Sequence, residues 1–483
     1  MNTCVLIKYL NPKTKIMLKI KKQLNYYLLI ILITLTYSCS IDNDIENIKS
    51  IEKSQKTEFN DTSYRTSSFG HHYVGNLENV LGDVKQAQIT NALTTTSEVD
   101  NILDGFEEMG VNGIRIAIFA DGHNPNETMY NYLHSEAVIR GFKIFANPAQ
   151  GTGGARIASG MLNGTVPSVK NSTAAPALIA RIKAFALDYK CDWINPFNED
   201  SRPGTVWWVG QINNIYSGLY GQLNGADLIG SCDWGIEAGI LSLQQTTMKN
   251  YISIAGTHNL GFQHSLWPDY IAEAGNLPVW DSETNNNVKT AGVATRVDAA
   301  IAAGVDGLVL YNSWNTISQS TGALNTAGQN LKDKFTQYYF IENKQSGDRI
   351  KPYSDGTEGT LMVQAPSSYT GDNTQWEIIP TDSGYVRFKN RGSGMYFRPT
   401  NNNNYSNIYA TNSFSGAGTY VQWKINDIDG TYSYILNRQS DKKMRSINSN
   451  DLGTHTTDTD IRINQVPSSW TGDATRWKFT EAN

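Results

Sequence analysis

The sequence of 483 residues predicts an α/β domain built as a (β/α)8 barrel, followed by a smaller all-β domain. Between residues 69 and 345, eight short β-branched or aromatic runs alternate with longer stretches of helical periodicity. No glycine-rich phosphate loop follows the first run, which disfavours a doubly wound sheet. After Lys344 the helical periodicity ends, and Ser, Thr, Asn and Gly separate short aromatic strands.

Residues 1–39 are predicted to form a signal peptide. Six lysines and no acidic residue accompany the apolar run 27–35, which is too short to span a membrane comfortably. Met17 is an alternative start, because residues 17–39 alone have the length of an ordinary signal peptide. Residues 36–39 resemble a bacterial lipoprotein box, and the acidic stretch 40–44 resembles the leader of Bacteroidetes-type surface lipoproteins. The resemblance implies export, either as an outer-membrane or cell-surface lipoprotein with its lipid on Cys39, or as a secreted protein.

Residues 40–68 are polar and lack apolar periodicity, which predicts a flexible tether. Without the six leader lysines, the formal net charge falls from −5 to about −11. This acidic balance argues against nucleic acid and against an anionic membrane as partners. Cys191 and Cys232 are the cysteines that remain after the leader, and we expect two buried thiols because they fall at opposite ends of neighbouring predicted strands.

The predicted barrel domain covers residues 69–345. Its strands are predicted at 70–74, 113–119, 142–147, 193–197, 228–232, 253–257, 278–281 and 307–311. Helices are predicted between them at 98–109, 175–189, 207–223, 241–251, 293–303 and 330–342. Glycines fall where helix C-caps are needed, at Gly110, Gly141, Gly225 and Gly304.

Residues 346–483 repeat themselves. Residues 364–372 return as 465–473, and Asn390-Arg391 returns as Asn437-Arg438. Three strands centred on Trp376, Trp423 and Trp477 mark three units. Three such units resemble the ricin-type β-trefoil, and the resemblance implies a carbohydrate-binding domain. Aromatic rings are suited to such a domain because the apolar faces of sugars stack on them.

Two glutamates stand at predicted strand ends of the barrel. Glu199 follows the fourth strand, and Glu283 follows the seventh. Because the C-terminal ends of all barrel strands meet at one rim, the two carboxyl groups are expected to face each other across a groove. Glycosidic bond cleavage needs such a pair, one group to protonate the leaving oxygen and one to act at the anomeric carbon.

The Asn198-Glu199 pair and Glu283 resemble the clan A retaining glycoside hydrolases with a TIM barrel. The resemblance implies that Glu199 is the general acid/base, Glu283 the nucleophile, and Asn198 the partner of the sugar 2-hydroxyl. It also implies that Arg115 lies beside the nucleophile and that Trp314 lines the subsite of the cleaved sugar. Further groove-lining candidates at predicted strand ends are His72, Asp233, Trp234 and His258.

We therefore expect an endo-acting β-glycanase on a neutral polysaccharide, either a β-glucan or an agar-type galactan. Retention is expected if the two carboxyl groups lie about 5 Å apart, and inversion if the gap exceeds about 6.5 Å. The alternatives are a non-catalytic polysaccharide-binding lipoprotein and a polysaccharide lyase, although the predicted strand ends supply Arg115 as their one clear cation. No cofactor and no metal site are expected, and the protein is expected to be a monomer.

Overall fold

The computed structural model describes residues 72–259, 263–285, 293–354, 356–412, 418–447 and 462–482. The predicted signal peptide, Cys39, the predicted tether and the start of the first predicted strand lie outside the described residues. Among the residues described, no helix is both long and apolar enough to cross a membrane.

Eight parallel strands close into a barrel in their order along the chain, which confirms the predicted fold class. All six residues of Gly113–Ile118 are buried, because helices cover the outer face and packed side chains fill the interior. The strands are β1 (Asn79–Asp83), β2 (Gly113–Ile118), β3 (Lys143–Pro148), β4 (Trp193–Ile194), β5 (Asp227–Ser231), β6 (Ile254–Asn259), β7 (Val279–Asn285) and β8 (Gly307–Tyr311).

Helices surround the barrel. The predicted C-cap glycines Gly110 and Gly304 directly follow their helices, whereas the helix predicted at 207–223 ends at Leu219, well before Gly225. Thr95 and Glu98 form a capping box at the start of the helix Thr96–Met109, and Gly110 ends it with φ 85°. The described helices are α1 (Lys85–Ile89), α2 (Thr96–Met109), α3 (Glu127–Ile139), α4 (Gly153–Ala158), α5 (Ala174–Asp188), α6 (Val209–Leu219), α7 (Ile236–Gln245), α8 (Trp267–Ala274), α9 (Val293–Ala303) and α10 (Thr326–Phe335).

The first barrel strand differs from the prediction, which placed it at residues 70–74. Tyr73 instead forms an antiparallel bridge with Thr336, outside the barrel. The strand that pairs with β2 and β8 is Asn79–Asp83, whose five residues are all buried. Residues 70–74 and 79–83 both have the local composition of a strand. A barrel strand is covered on both faces, and only the fully buried segment Asn79–Asp83 suits that position.

Side chains fill the barrel interior. The fully buried Trp280 ring lies edge to face with Trp193 at 4.8 Å and with Phe145 at 6.4 Å between ring centroids. A packed interior confines any ligand to the mouth formed by the C-terminal strand ends. The interior cluster comprises Leu81, Phe145, Trp193, Ile229, Cys232, Ile254, Trp280 and Val309.

Gly307 leaves room for the Trp280 ring, since a Cβ at this position would lie 2.5 Å from the indole nitrogen. Gly307→Ala is therefore expected to lower the free energy of unfolding by about 1–3 kcal/mol through overpacking. Chemical denaturation measures the change. Gly210→Ala is the matched control, because nothing lies within 4 Å of a Cβ there and the position is helical. Equal stability of both variants would contradict the dense packing around Trp280.

The C-terminal domain consists of three similar units, each centred on a buried tryptophan. The indole N–H groups of Trp376, Trp423 and Trp477 donate to the carbonyl oxygens of Ile350, Phe397 and Met444 at 3.0–3.1 Å. The described strands are β9 (Tyr338–Asn343), β10 (Arg349–Pro352), β11 (Met362–Ala365), β12 (Gln375–Pro380), β13 (Val386–Asn390), β14 (Tyr396–Pro399), β15 (Ile408–Thr411), β16 (Trp423–Asp427), β17 (Ser433–Asn437), β18 (Lys442–Ser446), β19 (Ile463–Pro467) and β20 (Trp477–Ala482).

Strand β9 starts this domain before the predicted boundary between residues 345 and 346. It pairs with β12 and β20, and its Ile341 is fully buried in the core of the C-terminal domain. The helix predicted at 330–342 instead ends at Phe335. The short apolar run that follows fits a helix or a strand by periodicity alone, and long-range pairing makes it a strand.

A fragment comprising residues 337–483 is expected to unfold cooperatively on heating, whereas a fragment comprising residues 346–483 is expected to lack a thermal transition. The shorter fragment leaves β12 and β20 without their shared neighbour and removes Ile341 from the core. Circular dichroism during heating compares the two. Equal transitions would show that β9 is dispensable for this domain.

Ion pairs join the C-terminal domain to the barrel. Lys332 on α10 lies 3.0 Å from Glu377 on β12, and both side chains are 4% exposed. Lys389 on β13 donates to Glu108 on α2 at 2.6 Å. Lys332 and Glu108 lie near the C-terminal ends of helices that return from the barrel mouth, so the C-terminal domain packs at the opposite end of the barrel.

Candidate active site

Two glutamates meet at the mouth of the barrel. Glu199 follows β4, and Glu283 lies in β7. One carboxylate oxygen of each, together with a ring nitrogen of His258, lies within 4.8 Å of the others. The side chains of Glu199 and Glu283 are 13% and 9% exposed. The structure therefore brings together the two carboxyl groups that the sequence singled out.

The turn after β4 holds Glu199 in an unusual backbone conformation. Its φ of 66° lies in the left-handed region, which costs a residue with a Cβ on the order of 1–2 kcal/mol. Its N–H donates to the carbonyl oxygen of Cys232 at 2.9 Å. Gly151 passes close to the carboxyl group, since a Cβ there would lie 2.6 Å from Glu199 Oε2. The hydrogen bond to Cys232 therefore fixes the backbone of Glu199, and the absence of a side chain at Gly151 leaves room for its carboxyl group.

Three cationic groups surround Glu283. Arg115 Nη1 lies 2.6 Å from its Oε2, Lys85 Nζ lies at 3.8 Å and His258 Nε2 at 4.0 Å. Burial acts to raise the pKa of Glu283, but Arg115, His258 and Lys85 together outweigh it and lower the pKa to about 2. The carboxylate is therefore ionised at any ordinary pH.

Asp83 fixes the guanidinium group of Arg115. Arg115 Nε and Nη2 donate to the two oxygens of Asp83 at 3.1 and 2.7 Å, and neither side chain is exposed. Asp83 Oδ2 also accepts from the N–H of Asn312, and the N–H of Asp83 donates to Ser313 Oγ. This bidentate pair sets the plane of the guanidinium and leaves Nη1 for Glu283.

His258 lies between the two glutamates. Its Nδ1 is 3.4 Å from Glu199 Oε1, and the ring is completely buried. Burial acts to lower the pKa of His258, but the charges of Glu283 and Glu199 outweigh it and raise the pKa to about 10. The imidazole is therefore cationic at neutral pH, beside both carboxyl groups.

Asn198 lies in the turn after β4 with its amide oxygen engaged. Its Oδ1 accepts from Lys85 Nζ at 2.9 Å and from Asn147 Nδ2 at 2.8 Å. The N–H of Asn198 donates to Asp200 Oδ1, whose other oxygen accepts from Trp207 Nε1. Burial raises the pKa of Asp200 to about 6, against the effect of these hydrogen bonds. The side chain and the backbone N–H of Asn198 are thus both held by buried hydrogen bonds, which fixes the turn after β4.

Glu199, His258 and Glu283 offer the ligand types of a metal site. The Oε2 atom of Glu283 already accepts from Arg115, and Lys85 lies 3.8 Å from the same atom. A metal ion at this oxygen would meet two buried cations, and His258 would have to lose its proton to bind it. The donor set therefore suits an ion-paired carboxylate better than a metal ligand.

Asp233 lies behind the mouth, which corrects the prediction that it lines the groove. Its carboxylate is fully buried and accepts hydrogen bonds from the hydroxyl groups of Ser201 and Ser242. Burial raises the pKa of Asp233 to about 6. Because both hydroxyl groups donate to the carboxylate of Asp233, this side chain fixes the loop after β5. The next residue, Trp234, is 59% exposed and can contact a ligand at the rim.

The prediction that His72 lines the groove is wrong, because residues 70–74 do not form a barrel strand. His72 Nδ1 lies 3.1 Å from the hydroxyl oxygen of Tyr339 on β9. Its carbonyl oxygen accepts from the N–H of Gln337. His72 therefore belongs to the contact between the two domains.

Two aromatic residues accompany β8 at the mouth. Trp314 is half-buried, packs against the barrel core and donates from Nε1 to Asn312 Oδ1 at 2.5 Å. Tyr311 lies closer to the charged groups, with its ring centroid 5.7 Å from Arg115 Cζ. Burial, and then the Glu283 carboxylate, raise the pKa of Tyr311 to about 12.

Four residues near the glutamates were not selected from the sequence: Asp83, Lys85, Asn147 and Tyr311. Asn147 and Tyr311 end predicted strands, so the rule that selected Glu199 applied to them as well. Asp83 and Lys85 were not predicted as site residues, because the first strand was predicted at residues 70–74, before its actual position. A correct β1 would have put both at a strand end.

The C-terminal domain has a recognisable family. Residues 329–411 match the family of the ricin-type beta-trefoil lectin domain-like proteins. The all-β C-terminal region therefore contains a ricin-type β-trefoil domain, as the repeats predicted. No curated protein matches the chain.

Similar solved structures include a designed threefold-symmetric protein, ThreeFoil, at 24% identity over 30% of this chain and 97% of that one, with a TM-score of 0.26. They also include two glycoside hydrolases. An exo-β-1,3-galactanase from Clostridium thermocellum matches at 21% identity over 34% of this chain, with a TM-score of 0.28. A GlcNAcα1-4Gal-releasing endo-β-galactosidase from Clostridium perfringens matches at 17% identity over 30%, with a TM-score of 0.24. The matches span 33% of each hydrolase.

Proposed function

We propose that this protein is a glycoside hydrolase that cleaves a neutral polysaccharide at the barrel mouth. The observation that carries the proposal is the pair of carboxyl groups within 4.8 Å of each other, of which only Glu283 is ion-paired with the buried Arg115. Two carboxyl groups in unequal surroundings are what acid/base and nucleophilic roles require. The adjoining trefoil domain supports a carbohydrate ligand, since its family is described as lectin-like.

In the proposed reaction, the ionised Glu283 attacks the anomeric carbon while Glu199 donates a proton to the departing oxygen. Glu199 then removes a proton from water, and this water attacks the same carbon and releases Glu283. Asn198, which accepts from Lys85, and Tyr311, whose ring lies near Arg115, would contact the sugar. The exposed Trp234 would stack on a sugar farther along the polymer.

The separation of the two glutamates supports retention of configuration. Retaining enzymes hold their carboxyl groups about 5–5.5 Å apart, whereas inverting enzymes leave about 6.5–9.5 Å for a water molecule. Carboxylate oxygens of Glu199 and Glu283 lie within 4.8 Å of each other, which favours the first class. An inverting reaction with Glu283 as the base is the less favoured alternative.

The balance of charge at the mouth supports a neutral sugar. Arg115 is paired with Asp83 and Glu283, and Lys85 and His258 lie 3.8 and 4.0 Å from Glu283. A lyase would need a cation for the uronate of its substrate. Arg115, Lys85 and His258 are therefore occupied by the enzyme's own acids.

Two further aspects rest on the sequence and the domain arrangement. We propose endo action, because a binding domain at the far end of the barrel would keep the enzyme on a long chain without occupying the mouth. We also propose that the protein is exported as a monomeric lipoprotein linked through Cys39. Both β-glucan and agar-type galactan suit the proposal.

The test is product analysis with the full chain on neutral plant, fungal and algal polysaccharides, including β-glucans and agar. New reducing ends are expected on one of them, with a fall in viscosity early in the reaction. Proton NMR of the first products is expected to show the anomer of the starting linkage. No cleavage on any polymer, with binding retained, would favour a non-catalytic polysaccharide-binding protein.

A further inference from the structure

Lys85 is a buried cation inside the site to which the proposed reaction gives no role. It is the first residue of α1, directly after β1, and its side chain is 2% exposed. Its ammonium group reaches Asn198 Oδ1 at 2.9 Å, the carbonyl oxygen of Pro148 at 3.5 Å and Glu283 Oε2 at 3.8 Å. Lys85 therefore links the turn that carries the proposed acid to the proposed nucleophile.

The contact with Lys85 determines which way the Asn198 amide faces. An ammonium group has donors and no acceptor, so the atom of Asn198 beside Lys85 Nζ must be the oxygen. Asn147 Nδ2 donates to the same oxygen at 2.8 Å. The Asn198 Nδ2 group is thus the free end of the amide, and it has no partner within the residues that the structure describes.

Lys85 also acts on the charge of Glu283. The two groups lie 3.8 Å apart in a buried setting, where opposite charges interact strongly. Arg115 holds the same oxygen at 2.6 Å, and His258 lies 4.0 Å away. Other ionisable groups near Glu283 are Asp83, Glu199, Asp281 and Tyr311.

We propose that Lys85 is a positioning residue, which presents the Asn198 amide N–H groups to a substrate hydroxyl and helps to keep Glu283 ionised. The first part of this role rests on the proposed hydrolase function, whereas the second is a property of the protein without substrate. Lys85 is not a nucleophile here, since its Nζ is enclosed by three acceptors and the side chain is almost fully buried.

The charge effect is tested in the full chain labelled at the side-chain carboxyl carbon of glutamate. Carbon NMR follows the Glu283 resonance, identified by its loss in Glu283→Gln, during acid titration. Lys85→Met keeps the length of the side chain and removes charge and donor, and the pKa of Glu283 is expected to rise by about one unit or more. Lys332→Met removes a lysine of similar burial, far from the site, and is expected to leave the titration unchanged.

The positioning effect is tested on the polysaccharide that the wild type cleaves. Lys85→Met is expected to lower kcat/KM by about 10²-fold, mainly in kcat, through a misplaced amide. In an Asn198→Ala background the same change should cost much less, because the two residues act as one unit. Lys85→Gln keeps a donor for Asn198 without the charge, so it should shift the titration but lose less activity, and it serves if Lys85→Met does not fold.

An unmoved Glu283 titration in Lys85→Gln or Lys85→Met would overturn the electrostatic role. If Lys85→Met lowers kcat/KM by the same factor in the wild type and in the Asn198→Ala variant, the positioning role is overturned. If the wild type cleaves no polysaccharide, the hydrolase proposal fails, and the titration still decides whether Lys85 controls the ionisation of Glu283.

Discussion

Glu283→Gln is expected to reduce polysaccharide cleavage by at least about 10³-fold while the protein remains folded, because an amide is a poor nucleophile. The substitution keeps the shape of the side chain. Arg115 loses one partner but retains its bidentate pair with Asp83, so the barrel mouth should keep its geometry. Release of reducing ends measures activity, and circular dichroism measures folding.

Glu237→Gln is the matched control, since Glu237 is an exposed glutamate at the start of α7, outside the proposed machinery. It should retain wild-type activity. The pKa of Glu283 in the fold, about 2, lies below its ordinary value of 4.5, so its ionised form stabilises the fold above pH 4.5. This stabilisation is lost as the pH falls towards 2, and Glu283→Gln should flatten that dependence. Cleavage at the wild-type rate by Glu283→Gln would remove Glu283 from the reaction.

Glu199→Ala is expected to lower kcat/KM on the polysaccharide by about 10²–10⁴-fold, the range for loss of a general acid. The loss should depend on the leaving group. An aryl glycoside of the released sugar with an acidic phenol needs no protonation as its bond breaks, so its first step should be much less affected. Steady-state and burst kinetics on both substrates measure the contrast.

Glu237→Ala controls for removal of a glutamate side chain from the same barrel. Equal losses on the polysaccharide and on the aryl glycoside would mean that Glu199 supports the site without transferring a proton. Greater loss on the aryl glycoside would contradict the assignment of the two glutamates. The burst is informative too, because a covalent intermediate on Glu283 should accumulate when Glu199 no longer activates water.

Much of the site could be read from the sequence because a barrel brings strand ends together. Glu199 and Glu283 were found from their places after the fourth and seventh strands, and Arg115 from the second. The same rule failed at His72, since it depends on each strand being placed correctly. It also failed at Asp233, because a strand end does not reveal whether a carboxylate faces the mouth or two buried hydroxyl groups.

The sequence by itself determined the eightfold alternation of strand and helix, the threefold C-terminal repeat and the two glutamates at the barrel mouth. These features follow from local periodicity and from the position of a residue relative to a strand end. Both can be recognised without knowing which distant residues are in contact. Only the tertiary structure decided that Asn79–Asp83 is the first barrel strand and that Tyr338–Asn343 is a strand at all. It alone also placed Lys85 beside Glu283, because burial and charge at a site depend on residues that are far apart along the chain.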